Sequence, residues 1–296
     1  MKPARRTFLG AAAAGAAAAD APPLPLVEFG KHGISRLVVG GNPVSGNSHV
    51  SRALDAEMAD YFTAANIKKM LRECEQGGIN TWQSRGDRFI LRMLREYRNE
   101  GGTIQWIAQT ASELADIGRN IRDCAAAGAI GIYHHGALTD SLWRGGRIGE
   151  VLPRLKAMRD AGVRVGAGTH IPEVIDHIES EGWDADFYMT SLYNLGRTKE
   201  EIARLGGEAQ GELFWEPDRE RMLERVRKTS KQCLIFKVYA AARRAKSAAD
   251  MRASLRQVFE SAKPRDAVVI GMFPKHSPQV AENCRLVREA LAPRPA

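Results

Sequence analysis

Cysteine and aromatic residues are scarce in this 296-residue chain: there are four cysteines, and Phe, Trp and Tyr together make 7%. Cys74, Cys124, Cys233 and Cys284 stand singly with no CxxC spacing, so neither a zinc ribbon nor a dithiol redox pair is indicated. Each falls in an apolar helix or strand pattern, which predicts buried core thiols even if the final compartment is oxidising. No apolar run reaches the about 20 residues that span a bilayer. No basic stripe with interleaved aromatics occurs either. The 43 Lys and Arg are dispersed among 35 Asp and Glu, and a net charge of +8 without clustering is not the footprint of a nucleic-acid binder. With 44% apolar residues, 28 Gly and 13 Pro, the composition is that of a globular protein with a large core and excludes collagen-like, low-complexity and disordered classes.

Residues 1 to 19 differ from the rest. Lys2, Arg5 and Arg6 precede Thr7-Phe8-Leu9 and an almost unbroken alanine run from Ala11 to Ala19. A charged start, a short apolar stretch and small residues at the end make a signal peptide. Ala17 and Ala19 fill the two small-residue positions, so cleavage is expected after Ala19, leaving Asp20 first. The string Arg5-Arg6-Thr7-Phe8-Leu9 before a weakly hydrophobic Ala/Gly core resembles a twin-arginine signal; an ordinary secretory signal with two chance arginines is the alternative. The resemblance implies the twin-arginine translocation machinery as a partner, transport in the folded state, and a periplasmic or extracellular destination with no stable membrane insertion after cleavage. Removing the three cations lowers the net charge from +8 to +5.

From Leu26 onward, residues 20–296 read as one barrel domain. Short β-rich runs alternate with segments of helical period, and no linker interrupts them. The strand candidates are Leu37 to Gly40, Ile79 to Gln83, Ile104 to Gln109, Ala129 to His134, Arg164 to Gly168, Phe187 to Leu192, Cys233 to Lys237 and Ala267 to Gly271. Between them apolar residues recur every three or four positions, as in Val151, Leu152, Leu155 and Met158. Gly77-Gly78, Gly101-Gly102, Gly128 and Gly162 mark helix ends, where glycine adopts positive φ without penalty. Eight β/α units over about 270 residues predict a parallel (β/α)8 barrel. A doubly wound open sheet is the alternative, but no GxGxxG follows the first strand. Ahead of that strand, Val27-Glu28-Phe29 and Ile34-Ser35-Arg36 flank Gly30-Lys31-His32-Gly33, a β-hairpin expected to close the bottom of the barrel. The stretches Asn42 to Asp55 and Gly196 to Pro217 are longer than a βα connection needs, and such loops are usually functional.

The order of motifs resembles the aldo-keto reductase superfamily over most of the mature chain. The matching residues are Phe29-Gly30-Lys31-His32-Gly33-Ile34-Ser35-Arg36-Leu37, Gly78-Ile79-Asn80-Thr81-Trp82 and Tyr133-His134-His135-Gly136. They continue with Ala157 to Val165 running into Gly166, Asp186-Phe187 leading to Tyr193-Asn194, and Val269-Ile270-Gly271-Met272 leading to Glu282-Asn283. The resemblance implies a (β/α)8 barrel that reduces carbonyls with NADPH, using an Asp after strand 2, a Tyr proton donor, a Lys after strand 3 and a His after strand 4. Here the Asp position falls on Gln83, the Tyr position near Asp87 and Arg88, and the Lys position on Gln109 or Thr110; His135 alone has the family residue. Without the phenol there is no general acid of the family's type, so the fold is expected to carry over and the mechanism to differ.

In a barrel the strand ends converge on one pocket, here lined by Asn42, Gln83, Arg85, Gln109, His135, His170, Tyr193, Asn194, Lys237 and Lys275. His135 is read as a proton donor or substrate-orienting group, or as a histidine bonded to loop backbone. Arg85 can clamp a carboxylate bidentately or pair with Asp87. His170, Asn42, Tyr193 and Asn194 are further substrate-binding candidates. Lys237 ends an apolar strand, where a desolvated amine acts as acid, base or Schiff-base former, or snorkels to the rim. Gln83, Gln109, His135 and Lys237 form the expected catalytic set. Arg243 and Lys275-His276-Ser277 place cations where barrels hold phosphate. With Asn283 the last segment resembles the family's adenine-phosphate segment, although the family's arginine four residues before that asparagine is Gln279, and NADP(H) is the expected cofactor. A zinc site from His49, His135 and His170 is conceivable, but no HxH or HExxH spacing supports it. The expectation is an exported oxidoreductase of altered mechanism acting on a small polar carbonyl or sugar-like substrate. The alternative is a lyase or isomerase built on His135 and Lys237, or a ligand-binding barrel.

Overall fold

A computed structural model describes residues 23–206 and 212–292. The expected signal segment, with Arg5, Arg6 and Ala19, lies outside the described residues. Eight parallel strands form a closed barrel: β3 (Leu37–Gly40), β4 (Thr81–Arg85), β5 (Gln105–Gln109), β6 (Ala129–His134), β7 (Arg164–Thr169), β8 (Phe187–Ser191), β9 (Gln232–Phe236) and β10 (Ala267–Gly271). They run in sequence order around the ring, and β10 closes on β3 with Val269 opposite Val38. Helices surround the strands, giving the (β/α)8 barrel. An antiparallel hairpin, β1 (Leu26–Phe29) and β2 (His32–Ser35), precedes it.

The period of two along each strand divides the core. Val38, Ile107, Tyr133, Phe187, Met189, Leu234, Ala267 and Val269 point inward and pack with Phe29 and Ile34 of the hairpin. Their alternates, among them Trp82, Trp106, Ile132, Val165 and Ile235, pack against the helices. The hairpin sits at the N-terminal ends of the strands because its carbonyls are bonded there: Gly33 by Asn80 (2.9 Å) and Gln105 (2.7 Å), Glu28 by Gln232 (3.0 Å). Phe29 enters the barrel and meets Phe187 edge-on at 4.9 Å. A Cβ at Gly131 would lie 2.8 Å from the Phe29 ring, so the plug requires glycine there. With the bottom sealed, the C-terminal ends of the strands are left as the place for chemistry.

The structure corrects several boundaries. The second barrel strand starts at Thr81 and includes Arg85, because Ile79 N–H caps the preceding helix at the Cys74 carbonyl (2.8 Å) and Asn80 is engaged with the hairpin. The stretch Gly196 to Pro217 is not wholly loop: Thr198 and Glu201 form a capping box that starts a helix, Lys199–Arg204. Asn42 to Asp55 contains a 3-10 turn, Pro43–Ser45, and the start of the helix Arg52–Tyr61, capped by Ser51. All four cysteines are buried and free. No helix among the described residues is long and apolar enough to cross a membrane.

Candidate active site

Strand parity and helix capping place the polar residues at the barrel mouth. Arg85 shares its face of β4 with Gln83, so it rises toward the mouth. Its guanidinium is paired with Glu113 of the loop after β5 and lies 3.8 Å from Asp87, while its Nε is buried without a hydrogen-bond partner. His135 follows β6 and caps the helix Gly136–Arg144: its N–H donates to Thr110 Oγ1 (3.1 Å) and its Nδ1 accepts from Leu138 N–H (3.3 Å). An accepting Nδ1 places the proton of the neutral ring on Nε2. Burial, with the nearby His170 and Arg85, pushes the His135 pKa down to about 4, so the ring is neutral at pH 7.

His170 follows β7. Its ring Nδ1 lies 2.6 Å from Asp140 Oδ2, and the same carboxylate accepts from His170 N–H (3.1 Å) and Thr169 Oγ1 (2.5 Å). Asp140 is buried on the helix that His135 caps, so one helix sets both histidines. The imidazole of His170 stands edge-on to Phe236, and the Lys237 ammonium lies over the same ring at 5.6 Å.

Lys237 follows β9 in a strained backbone. Its φ is 61°, and Ala240, Ala241 and Ala242 have φ of 50°, 48° and 68°. Left-handed residues with a Cβ cost roughly 1–2 kcal/mol each, and such strain gathers at functional sites. The loop is held by buried Arg219, which donates to the Val238 carbonyl at 2.9 Å. Lys237 Nζ is 3.0 Å from His49 Nε2, and His49 Nδ1 is 2.7 Å from Glu212 Oε1. Desolvation lowers the Lys237 pKa to about 8; Glu212 opposes the shift and Arg243 adds to it. Burial works against the Glu212 carboxylate, but the hydrogen bond from His49 and the surrounding cations outweigh it and hold the pKa low. The two long segments expected on the catalytic face thus meet over Lys237, one bringing His49 and the other Glu212. Asn42 joins them with its Nδ2 3.4 Å from His49 Nε2.

Other candidates are placed elsewhere. Gln83 and Gln109 converge below the mouth, each donating from Nε2 to the Tyr133 hydroxyl, at 2.7 and 3.1 Å. This phenol is fully enclosed, and burial drives its pKa upward. Both hydrogen-bond donors to this phenol are neutral amides, which bring no charge to tune it. Tyr193 donates to Glu216 (3.1 Å), and Asn194 accepts from Arg144 (3.1 Å), both away from His135 and Lys237 in their contacts. Among the described residues no three His, Cys, Asp or Glu side chains form a metal cluster, so His49, His135 and His170 are not brought together as a zinc site. Sequence reasoning missed Glu212, Glu113, Asp140 and Tyr133 and weighed His49 only as a metal ligand. Only Tyr133 carried a signal, its inward parity on β6.

The expected NADP(H) residues reach the side of the mouth beside β9 and β10, but their polar groups are engaged. Lys275 (2.7 Å) and His276 (2.6 Å) both hold Glu57 Oε1. Asn283 accepts from Tyr239 (2.9 Å) and donates to the Gln279 carbonyl (2.8 Å). Arg243 donates to the His49 carbonyl (3.1 Å) and lies over Phe214 at 4.0 Å. Of the expected set only the Ser277 hydroxyl is uncommitted among the described residues. A carboxylate on the two cations occupies the place of a ribose phosphate, which would have to displace Glu57 to bind there.

Fold and site together define a (β/α)8 barrel with its ionisable groups at the C-terminal mouth. No family model matches the chain, and no curated protein sequence matches it. Solved structures do resemble it. The aldo-keto reductase AKR11C1 from Bacillus halodurans, in its holo form, superposes with a TM-score of 0.53 at 10% identity, covering 93% of this chain and 92% of its own. Apo Gox0644 gives 0.52 at 10% identity, covering 90% and 88%. A truncated 3-deoxy-D-arabino-heptulosonate 7-phosphate synthase from Thermotoga maritima gives 0.51 at 11%, covering 90% and 91%. At such identity the likeness establishes the barrel alone, shared by a reductase and a synthase.

Proposed function

We propose that the protein is an exported barrel enzyme, periplasmic or extracellular, that acts on a small polar carbonyl or sugar-like substrate through an amine nucleophile, Lys237. The carrying observation is the Glu212–His49–Lys237 chain, in which a nucleophile is within hydrogen-bond reach of a base oriented by a third group. Glu212 holds the proton of His49 on Nδ1, which leaves Nε2 to take the proton of Lys237. The neutral Nζ then attacks the carbonyl carbon; an N–C bond forms, the C=O π pair moves to oxygen, and the oxygen takes the proton held on His49 Nε2. The nitrogen's own proton passes to the hydroxyl, which leaves as water to give an iminium; its cationic nitrogen accepts the electron pair of an adjacent C–H bond, whose proton goes to His170, or of a C–C bond to a hydroxyl-bearing carbon, which leaves as an aldehyde as His170 takes its hydroxyl proton. His170, fixed by Asp140, supplies an acid–base group, and neutral His135 offers a hydrogen-bond donor at Nε2. This is lyase or isomerase chemistry. The test is incubation with short aldehydes and ketones plus cyanoborohydride, followed by peptide mapping. Lys237 should be alkylated well ahead of exposed lysines such as Lys31, and a Lys237 no more reactive than these removes the reading.

Nicotinamide-linked reduction is the second reading, supported by Lys275, Ser277 and Asn283 standing in order at the start of the helix Gln279–Leu291. It requires NADP(H) to displace Glu57. Calorimetric titration with NADPH and NADH decides it: binding weakened selectively for NADPH by Lys275→Ala supports a reductase, and no binding at millimolar nucleotide ends it.

A further inference from the structure

Across the mouth from Lys237 stands an arginine whose one close ion-pair partner among the described residues is an exposed loop carboxylate, Glu113. Arg85 is at the end of β4 and Lys237 just after β9, with β10 and β3 between them. Three inter-strand steps of about 4.8 Å separate the two on the ring, so they enter the mouth from different sides. Arg85 Nε is buried with no hydrogen-bond partner, the Asp87 carboxylate is too far at 3.8 Å to satisfy it, and Glu113 takes only the Nη2 edge. The Arg85 side chain is 34% exposed and that of Glu113 46%, so this ion pair lies within reach of a ligand entering from solvent. An unfilled fork of this kind matches a planar carboxylate bidentately.

We infer that the substrate is a carbonyl compound that also carries a carboxylate, its carbonyl meeting Lys237 and its carboxylate displacing Glu113 from Arg85. The span between the two strands places the two groups on separate carbons of a short chain, as in an aldehydic or sugar acid, rather than on adjacent carbons. Glu113 then acts as a placeholder that keeps the guanidinium charge compensated until the acid arrives.

This inference rests on the amine-nucleophile reading, and the experiment separates the two. The whole mature protein is treated with cyanoborohydride and either 4-oxobutanoate or butanal at equal concentration, and alkylation of Lys237 is counted relative to Lys31. A charge-assisted contact corresponds to a preference for 4-oxobutanoate of about tenfold to a hundredfold. Arg85→Gln should bring the ratio of the two aldehydes to about one, and Glu113→Gln should raise it by removing the competitor. Labelling of Lys237 by both aldehydes at equal rate, with the ratio unmoved in either variant, overturns the carboxylate inference while the lysine stands. Lys237 no more labelled than Lys31 by either aldehyde overturns the lysine reading and this inference with it. Because the two variants are expected to move the ratio in opposite directions, a general loss of folding does not imitate the result.

Discussion

The pH profile of Lys237 tests the site most directly. Desolvation holds its pKa at about 8, so roughly one molecule in ten carries the free amine at pH 7, against about one in three thousand for an ordinary lysine near 10.5. The nucleophile is therefore about 300-fold more available than on the surface. The Glu212 carboxylate favours the ammonium, so Glu212→Gln should move the midpoint of the profile to lower pH. His49→Ala removes the base 3.0 Å from Nζ, so the rate below the midpoint should fall while the plateau, where the amine is already neutral, should hold. The assay is the rate of aldehyde trapping at Lys237 between about pH 6 and pH 11, followed by mass spectrometry of the labelled peptide. A native midpoint near 10.5, or an alkaline shift in Glu212→Gln, would refute the reasoning, because neither agrees with an amine desolvated beside that carboxylate.

The same depressed pKa disfavours the folded state below about pH 8, and the penalty is relieved as pH rises toward the unfolded value near 10.5. Lys237→Met should accordingly stabilise the protein at pH 7 by up to on the order of 3 kcal/mol in urea denaturation, with the gap closing near pH 10.5. Tyr133→Phe strands the Gln83 and Gln109 amides inside the barrel and is expected to lower stability by roughly 1–3 kcal/mol; an unchanged denaturation midpoint counts against that network. Gly131→Ala drives a methyl into the Phe29 ring and should lose a similar amount, about 1–3 kcal/mol, with near-ultraviolet circular dichroism reporting displacement of the plug. Replacing Arg5 and Arg6 together by Lys should hold the precursor in the cytoplasm, whereas unchanged export indicates a general secretory signal; the mature N-terminus should read Asp20 by mass spectrometry.

The barrel was legible in the sequence because strand and helix periods are local. Alternation in β5 and β6, the three-to-four spacing of Val151, Leu155 and Met158, and glycines such as Gly78, with φ of 90°, each follow from a few neighbouring residues. The hairpin plug was legible for the same reason, and so was the position of Arg85, His135, His170 and Lys237, since a residue at the C-terminal end of a parallel barrel strand lies beside the mouth. What each of them touches was decided by tertiary structure alone. His49 and Glu212 are 163 positions apart, and Lys237 lies 188 from His49. No periodicity couples residues at such separations, because their approach depends on how two irregular segments cross over the closed ring. The phosphate expectation at Lys275 shows the converse. The motif is local and visible, but Glu57, 218 residues earlier, compensates its charge, and a Coulomb interaction depends on distance in space, which chain order does not give.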